Sequence, residues 1–517
     1  MQPSQAAFDR ATLAFAAVLI ALTALRVWML VISPVDLYFD EAQYWVWSRS
    51  LEWGYYTKPP LVAWVIALTT AIFGDAEWAV RLASPLAHAL TASALYLLGR
   101  SMYGAWAGFW AGVAWLTLPG VWFSASIIST DALLLPCWAF GLLGIWRLIA
   151  TRKWAWAAVV GVVIGLGVQA KYAMLYFPIG IALAAWWALP AREALKQGRG
   201  LLIALTAAII ILPNFVWNAQ HGFVTATHTA ENLDFNSPSF FNIDELFEFT
   251  LSQAALLGPI LFAALVWMFA RAGRRVSGLS DEDKMLLAFI LPTLAVVLTV
   301  AFVTRANANW AVASYLASIV WIAGALMRTK TGRRVLAAAV AFNLLAGGAL
   351  IAAGMNPAWS NQVKNVRGAR GWEETAREIA LRAVAQPGEA PFTAVLVDDR
   401  STYFELSYYW RHARMAGAPL PPVRMWLLHG EARNSAESTD PMRPEEGGRV
   451  LVVHLSRDYL PFVAADFSVF RTVEHLTIPL GGGFNREIEI SVGEGFAPAP
   501  RDAAFRERLR ALQMQRR

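Results

Sequence analysis

Long apolar runs separated by short polar segments occupy the first two thirds of the chain. A helix crosses a bilayer with about 20 mostly apolar residues. Eleven runs approach that length, at residues 11–32, 80–98, 106–122, 132–149, 154–168, 173–189, 201–217, 251–270, 285–303, 310–327 and 335–353. The first run exceeds the roughly 7–15 residues of a signal-peptide core, so we predict that it is retained. The pattern therefore predicts an α-helical polytopic membrane protein with about eleven transmembrane helices.

Two stretches depart from this pattern. Residues 61–73 are apolar but short for a span, which predicts a re-entrant or interfacial segment. From about Asn356 the sequence becomes charged and proline-rich, and strands are predicted at residues 393–397, 450–454 and 487–492. We therefore predict a transmembrane domain at residues 1–355 and a small α/β domain at residues 356–517. Within the latter, we expect a loop at residues 432–448 and an amphipathic helix after Arg501.

Composition agrees with a membrane protein and argues against other classes. The 517 residues are 57% hydrophobic and 15% charged, whereas a soluble chain is about 25% charged. The basic residues behind the net charge of +6 do not gather in one stripe, so we expect no nucleic-acid partner. The 24 tryptophans are typical of aromatic belts in contact with membrane lipids. The single cysteine, Cys137, excludes a disulfide framework and a cysteine-ligated zinc site.

Lysines and arginines indicate the orientation in the membrane. They cluster in alternate connections, near residues 152–153, 192–199, 271–284 and 328–334. Short connections with such clusters stay in the cytoplasm. The long connection from Asn218 to Thr250 contains neither residue type. We therefore predict that the N-terminus lies inside the cell and that the C-terminal domain lies outside the cytoplasmic membrane.

The first outer connection brings two acids and a lysine to the predicted bilayer surface. It contains Asp40 and Glu41, and then Lys58, which two prolines follow. A carboxylate here can act as a general base on an acceptor, and a lysine can neutralise a phosphate leaving group. Alternatively, the two acids cap the helix that follows them, because acids are favoured at helix N-termini. From chemistry alone, the two interpretations are about equal.

Further polar residues converge on the same predicted face. Asp131 begins the fourth helix there and Lys171 ends the fifth. Taken singly, a helix cap and a snorkelling lysine explain these two residues better, but their convergence favours a site. Other candidates on this side lie in the long connection and in the ninth connection: Asn218, His221, His228, Arg305, Asn307, Asn309 and Trp310. Aromatic rings of the first outer connection either stack on sugar or anchor the loop: Trp45, Trp47, Tyr55 and Tyr56.

These motifs resemble those of the GT-C glycosyltransferases of the protein O-mannosyltransferase and aminoarabinose transferase type, which form glycosyltransferase family 39. The Asp40-Glu41 pair is the signature of that family. Four further elements match in order, namely Lys58-Pro59-Pro60-Leu61, Asp131-Ala132-Leu133, His228-Thr229-Ala230-Glu231-Asn232-Leu233, and Asn307-Ala308-Asn309-Trp310 followed by Tyr315. The resemblance covers residues 11–353 and implies a GT-C fold there, whereas the C-terminal domain lies outside it.

The resemblance also implies an activity. The protein would be an inverting glycosyltransferase that uses a polyprenyl-phosphate sugar donor at the periplasmic face of a bacterial inner membrane. The acceptor stays open among lipid A, another glycolipid, a glycan and a protein. The resemblance implies catalytic roles for Asp40, Glu41 and Asp131 and donor-phosphate binding for Lys58. We add further residues of the same predicted face as our own expectation: Lys171 and Arg305 for donor-phosphate binding, and Tyr44, Tyr56, His221, His228, Asn309 and Tyr315 for substrate binding.

Metal use and the general class of function leave alternatives. In the aminoarabinose transferase, an acid before the motif lysine binds zinc with a loop histidine, whereas this chain has Thr57 there. We therefore expect no zinc at Thr57 and His228 and no required cofactor, and a divalent cation at Glu41 stays open. The main alternative function is a membrane transporter or lipid flippase, although we find no internal repeat of the kind common in transporters. A non-catalytic scaffold is a third alternative, against which the cluster of acids and lysine argues.

Overall fold

A computed structural model describes residues 9–231 and 241–515. In this part of the chain, seven helices are long and apolar enough to cross a membrane, or up to nine if each sharply bent pair is one span. The predicted multi-pass helical class is therefore confirmed. Up to residue 355 the α-helices are Arg10–Val31, Phe39–Ser48, Leu61–Phe73, Glu77–Arg81, Ala83–Tyr103, Ala105–Thr117, Pro119–Ser124, Thr130–Thr151, Trp154–Ala170, Tyr176–Trp187, Leu189–Leu195, Arg199–Gln220, Val224–Glu231, Ile243–Leu257, Pro259–Gly273, Asp281–Val303, Val312–Leu326 and Lys330–Met355.

Several apolar runs that we predicted as single helices are broken. The run at residues 251–270 bends by 116° at Gly258, between Ile243–Leu257 and Pro259–Gly273. Gly258 has a φ of +79°, and a Cβ atom at this position would overlap the side chain of Asn343. Only glycine meets both conditions, and a proline directly after it starts the next helix. The runs at residues 106–122 and 173–189 are also interrupted, at Leu118 and Ala188, but there the backbone leaves the helix with a negative φ and no glycine is needed.

The described part of the connection from Asn218 to Thr250, which we predicted as a loop, is largely helical. Helix Arg199–Gln220 extends into it, Val224–Glu231 forms a further helix, and Ile243–Leu257 begins before the connection was expected to end. Polar residues suggested a loop here, but a helix at a membrane surface has one face in water and needs no continuous apolar run. Asn232 and Leu233 of the predicted histidine element lie outside the described residues.

The described chain forms two compact units. The membrane unit contains the described residues through Ile32 together with Leu51–Ala352, and the C-terminal unit contains Ser33–Ser50 together with the described residues from Ala353 onward. We had predicted residues 33–50 as part of the transmembrane domain. They join the C-terminal unit because helix Phe39–Ser48 packs against helix Arg400–Tyr409.

The C-terminal unit is built around a five-stranded sheet. Its strands are β1 (Ala394–Val397), β2 (Val423–Met425), β3 (Arg449–His454), β4 (Phe467–Gly481) and β5 (Phe484–Phe496). They lie in the order β2-β1-β3-β5-β4, in which β1 pairs in parallel with β2 and β3, and β5 pairs antiparallel with β3 and β4. Its helices of five or more residues from Ala353 onward are Lys364–Gly368, Trp372–Ala383, Arg400–Tyr409, Arg411–Met415, Ser435–Thr439, Leu460–Ala464 and Ala503–Gln515.

The predicted α/β class of this domain is confirmed. The sequence pattern did not predict two of its strands, β2 and β4. The predicted strands correspond to β1, β3 and β5, and the helix expected after Arg501 is Ala503–Gln515. Strand β2 has only three residues, and most side chains of β4 are exposed or half-buried, so neither shows an apolar pattern. The segment 432–448 was predicted as a loop but contains the short helix Ser435–Thr439 and a 3-10 turn.

Candidate active site

Asp131 lies at the centre of a polar cluster in the membrane unit. Its carboxylate Oδ1 is 2.7 Å from the ammonium of Lys171, and its Oδ2 accepts a hydrogen bond of 2.7 Å from the side-chain amide of Asn309. Ser129, not Asp131, caps helix Thr130–Thr151 through the Ala132 amide. The carboxylate therefore makes tertiary contacts, and three residues that the sequence suggested separately meet at one point.

The environment of this cluster strengthens its contacts. The side chains of Lys171 and Asp131 are 23% and 15% exposed, so water screens their attraction less than it screens an ion pair on the surface. A lysine ammonium has three donor groups. One of them donates to Asp131, so the ammonium of Lys171 has further donors that can bind a phosphate or a sugar hydroxyl. The cluster as a whole is close to neutral and is rich in donors.

Residues 52–58 form what we call the lysine turn, because Lys58 ends it. The Tyr55 amide donates to the Lys58 carbonyl at 3.1 Å, and the Glu52 amide donates to the Tyr55 hydroxyl at 3.1 Å. Pro59 and Pro60 follow and lead into helix Leu61–Phe73. Prolines restrict the backbone on both sides of the junction. The backbone of the half-buried Lys58 is thus held by main-chain contacts.

A partly buried hydrogen-bond network joins the lysine turn to the neighbourhood of Asp131. The side-chain amide of Asn214 donates to the carbonyl of Trp53 at 2.7 Å. The hydroxyl of Tyr172 donates to the Asn214 side-chain oxygen at 3.1 Å. Tyr172 directly follows Lys171, which pairs with Asp131. These contacts, together with the peptide bond between Lys171 and Tyr172, therefore connect the lysine turn to the polar cluster.

Two more contacts hold the lysine turn against neighbouring helices. The hydroxyl of the fully buried Thr225 donates to the Tyr55 carbonyl at 2.8 Å. At Gly54, a Cβ atom would overlap the ring of Trp217, so the turn approaches its neighbour more closely than any other residue would allow. The sequence interpretation missed Asn214 and Thr225. For Asn214 the available signal was a polar residue inside the otherwise apolar helix Arg199–Gln220, which is rare unless it has a partner or a function. Thr225 lies in the polar helix Val224–Glu231, where one more threonine gives no such signal.

The other predicted residues of the membrane unit are not all brought to this cluster. The ring of His228 lies 6.3 Å from that of Tyr56, beside the lysine turn. His221 instead stacks on Trp217, with ring centroids 4.0 Å apart, and its Nδ1 is 2.7 Å from the Trp217 carbonyl. The buried Tyr315 donates its hydroxyl to Gln253 at 2.5 Å. Arg305 is exposed.

Asp40, Glu41 and Tyr44 lie on helix Phe39–Ser48 of the C-terminal unit, which we call the acidic helix. The carboxylate of Glu41 is buried and accepts a hydrogen bond of 2.9 Å from the Tyr38 amide. Glu41 therefore makes the capping contact that we had considered for both acids. Burial and then the charge of Asp40 raise the pKa of Tyr38 above its ordinary value. Tyr44 is buried, with its ring centroid 5.5 Å from that of Trp47.

The described residues also bear on metal binding. Within residues 9–231 and 241–515, no group of three or more His, Cys, Asp or Glu side chains is arranged to hold a metal ion. The residue pair Thr57 and His228 adds only one nitrogen ligand of the type that zinc prefers. A divalent cation at Glu41 stays a prediction.

Part of the chain is similar in sequence to a known protein family and to one characterised relative. A family model described as dolichyl-phosphate-mannose-protein mannosyltransferase matches residues 57–217. The lipid A galacturonosyltransferase RgtD of Rhizobium johnstonii is 37% identical over 305 residues, which are 59% of this chain and 63% of that protein. The chain thus matches less than two thirds of the length of this relative.

Solved structures share the fold at low identity. The apo structure of ArnT from Cupriavidus metallidurans has a TM-score of 0.62 and 15% identity, and the match covers 95% of this chain and all of ArnT. Its complex with undecaprenyl phosphate matches with a TM-score of 0.58 and 14% identity, over 94% of this chain and 99% of ArnT. The described chain therefore has a GT-C fold with several helices that are long and apolar enough to cross a membrane. The partial matches to RgtD and to the mannosyltransferase family model agree with the resemblance that the motifs carry.

We expect Asp131→Asn to destabilise the protein by about 1–3 kcal/mol, because it leaves the ammonium of Lys171 without its partly buried partner. The double variant Asp131→Asn/Lys171→Met removes both charges and should recover part of this loss. Thermal unfolding in detergent measures both effects. The exposed pair of Glu193 and Lys196 provides the control, and Glu193→Gln should change stability much less than Asp131→Asn does, because water screens an exposed ion pair. Equal melting of the single and double variants would contradict coupling between Asp131 and Lys171.

Proposed function

We propose that the protein moves a sugar from a polyprenyl-phosphate donor onto a glycolipid, with lipid A as the first acceptor to test. The observation that carries the proposal is the cluster of Asp131, Lys171 and Asn309, joined to the lysine turn by Asn214 and Tyr172. The relative named as a lipid A galacturonosyltransferase supports the acceptor class and makes galacturonate the first sugar to test. The ArnT complex with undecaprenyl phosphate supports the donor class.

The proposed reaction is a single displacement with inversion. Asp40 takes the proton of the acceptor hydroxyl as its oxygen attacks the anomeric carbon of the donor sugar. The bond from that carbon to the phosphate oxygen breaks, and polyprenyl phosphate leaves. Lys58 and the remaining donors of Lys171 neutralise the phosphate charge that develops. Asp131 has the supporting role of orienting Lys171 and Asn309, which is consistent with its two short contacts.

The face of the membrane is part of the proposal. Nucleotide sugars are not available outside the cytoplasmic membrane, so a lipid-linked donor fits an active site that faces the periplasm. We expect a reporter fusion at Gly278 to indicate the cytoplasm and one at Ala436 to indicate the periplasm. Both positions lie in described segments between or beyond the long apolar helices. A periplasmic signal at Gly278 would reverse the proposed orientation.

The activity itself is tested by two matched measurements. Mass spectrometry of envelope lipids from a deletion strain should show the loss of one sugar, and the parental gene should restore that sugar. Purified protein in detergent micelles should transfer the same sugar from a synthetic polyprenyl-phosphate donor to purified acceptor. A transporter or flippase needs two compartments, so it would produce no transfer in micelles. Restoration in cells without any transfer in micelles would favour that alternative.

A further inference from the structure

We propose that the C-terminal unit positions Asp40 by holding the acidic helix at both ends, with Tyr409 and Ser435 as positioning residues. This inference rests on the proposed role of Asp40 as the base. The acidic helix has ten residues, and an isolated helix shorter than about 12–15 residues is marginal in water. Its place and orientation must therefore come from the surfaces on which it packs.

Contacts with the C-terminal unit fix the segment that enters the acidic helix. The carboxylate of Asp36 accepts a hydrogen bond of 2.7 Å from the Trp372 amide. The amide of Leu37 donates to the hydroxyl of Tyr409 at 3.0 Å, and Leu37 is fully buried. Asp40 follows three residues after Leu37, so these contacts act within one turn of it.

The far end of the acidic helix is held separately. The indole N–H of Trp47 donates to the hydroxyl of Ser435 at 2.9 Å, and both residues are buried. Ser435 begins the short helix Ser435–Thr439, whereas Tyr409 ends helix Arg400–Tyr409. Two different elements of the C-terminal unit thus form hydrogen bonds at the two ends of the acidic helix.

Ring contacts fill the space between these two hydrogen bonds. The ring of Trp45 meets that of Tyr408 edge-on, with centroids 5.1 Å apart. The guanidinium of Arg400 lies 4.8 Å from the ring centroid of Phe39, the residue directly before Asp40. A helix held along one face and at both ends can neither rotate nor slide freely. This restraint matters for a base, because a displacement of about 1 Å can reduce a rate on the order of 100-fold.

The test compares anchor variants in two backgrounds. Ser435→Ala and Tyr409→Phe each delete one hydroxyl that holds the acidic helix, and each is made in the parent and in Asp40→Asn. Transfer in micelles is measured at saturating polyprenyl-phosphate sugar and saturating lipid A. We expect each variant to reduce turnover by about 5- to 30-fold in the parent, as a partial misplacement. In the Asp40→Asn background we expect almost no further loss, because the positioned group is already inactive.

Ser438→Ala is the matched control. Ser438 lies on the same short helix as Ser435, but its hydroxyl donates to the Ser435 carbonyl and the residue is exposed. Parental turnover in this control excludes a general effect of losing a hydroxyl from that helix. If Ser435→Ala does not fold, as judged by size-exclusion chromatography, Tyr409→Phe decides the outcome.

The outcomes separate this inference from the proposed function. An equal fold loss in both backgrounds would mean that the hydroxyls only stabilise the domain, and it would overturn the positioning role. Parental turnover of the anchor variants would also overturn it and leave the base role of Asp40 intact. Parental turnover of Asp40→Asn itself would refute the base role, whatever the anchor variants do.

Discussion

Asp40→Asn should lower sugar transfer by about 100- to 10,000-fold, the usual contribution of a general base. The substitution keeps the size of the side chain and its ability to cap a helix, since Asn is about as good a cap as Asp. It removes the ability to take a proton. The capping contact to the Tyr38 amide already belongs to Glu41, so Asp40→Asn should express, insert and bind donor lipid normally. The measurement is single-turnover transfer in micelles.

Glu41→Gln is the matched control for Asp40→Asn. Its side-chain oxygen can still accept the hydrogen bond from the Tyr38 amide, so we expect a smaller effect on the rate than from Asp40→Asn. If a divalent cation is held at Glu41, chelation of the parent protein should reproduce the effect of Glu41→Gln. Transfer by Asp40→Asn at the parental rate would leave this residue as a favourable charge at a helix N-terminus and nothing more.

Lys58→Ala should reduce transfer by about 100- to 1,000-fold, which is typical when one preorganised electrostatic group at a developing charge is lost. The lysine turn should persist, because its contact to Tyr55 uses the carbonyl of Lys58 and not the ammonium. Lys58→Arg should retain part of the activity, since a point charge at the phosphate tolerates a change of shape better than a bidentate contact does. Initial rates at varied donor concentration test both variants.

Lys153→Ala provides the control for the loss of a positive charge, because Lys153 lies in a connection predicted to face the cytoplasm. We expect its transfer rate to equal that of the parent. A rate for Lys58→Ala within about 2-fold of the parent would remove this lysine from the mechanism. A loss that more donor fully overcomes would assign Lys58 to binding alone, without a part in the displacement itself.

The positions of the helix breaks could not be predicted from the sequence. Pro119 and Pro259 were visible in the sequence, yet proline also occurs inside helices Thr130–Thr151 and Asp281–Val303. Neighbouring helices in a membrane protein can satisfy the backbone groups that a proline releases, so proline alone does not predict a bend. At Gly258, the side chain of Asn343, 85 positions away along the chain, leaves no room for a Cβ atom and donates a hydrogen bond of 3.2 Å to the Leu257 carbonyl at the bend.

Much of the fold follows from the sequence alone. A helix in a membrane satisfies its own backbone hydrogen bonds, so the length and polarity of each run predict its existence without knowledge of its neighbours. For the same reason the apolar region and the charged domain after it were separable by composition. The candidate residues Asp131, Lys171 and Asn309 were also visible, because polar residues at the ends of apolar helices are few.

Only the tertiary structure decided how those residues are arranged. The bond between Asp131 and Asn309 joins positions 178 residues apart, and no local pattern encodes which helix ends meet. Packing likewise assigned the acidic helix to the C-terminal unit, through Leu37 and Trp47. Local patterns determine which segments form helices and strands, whereas the contacts that give an acid or a lysine its role depend on how distant surfaces fit together.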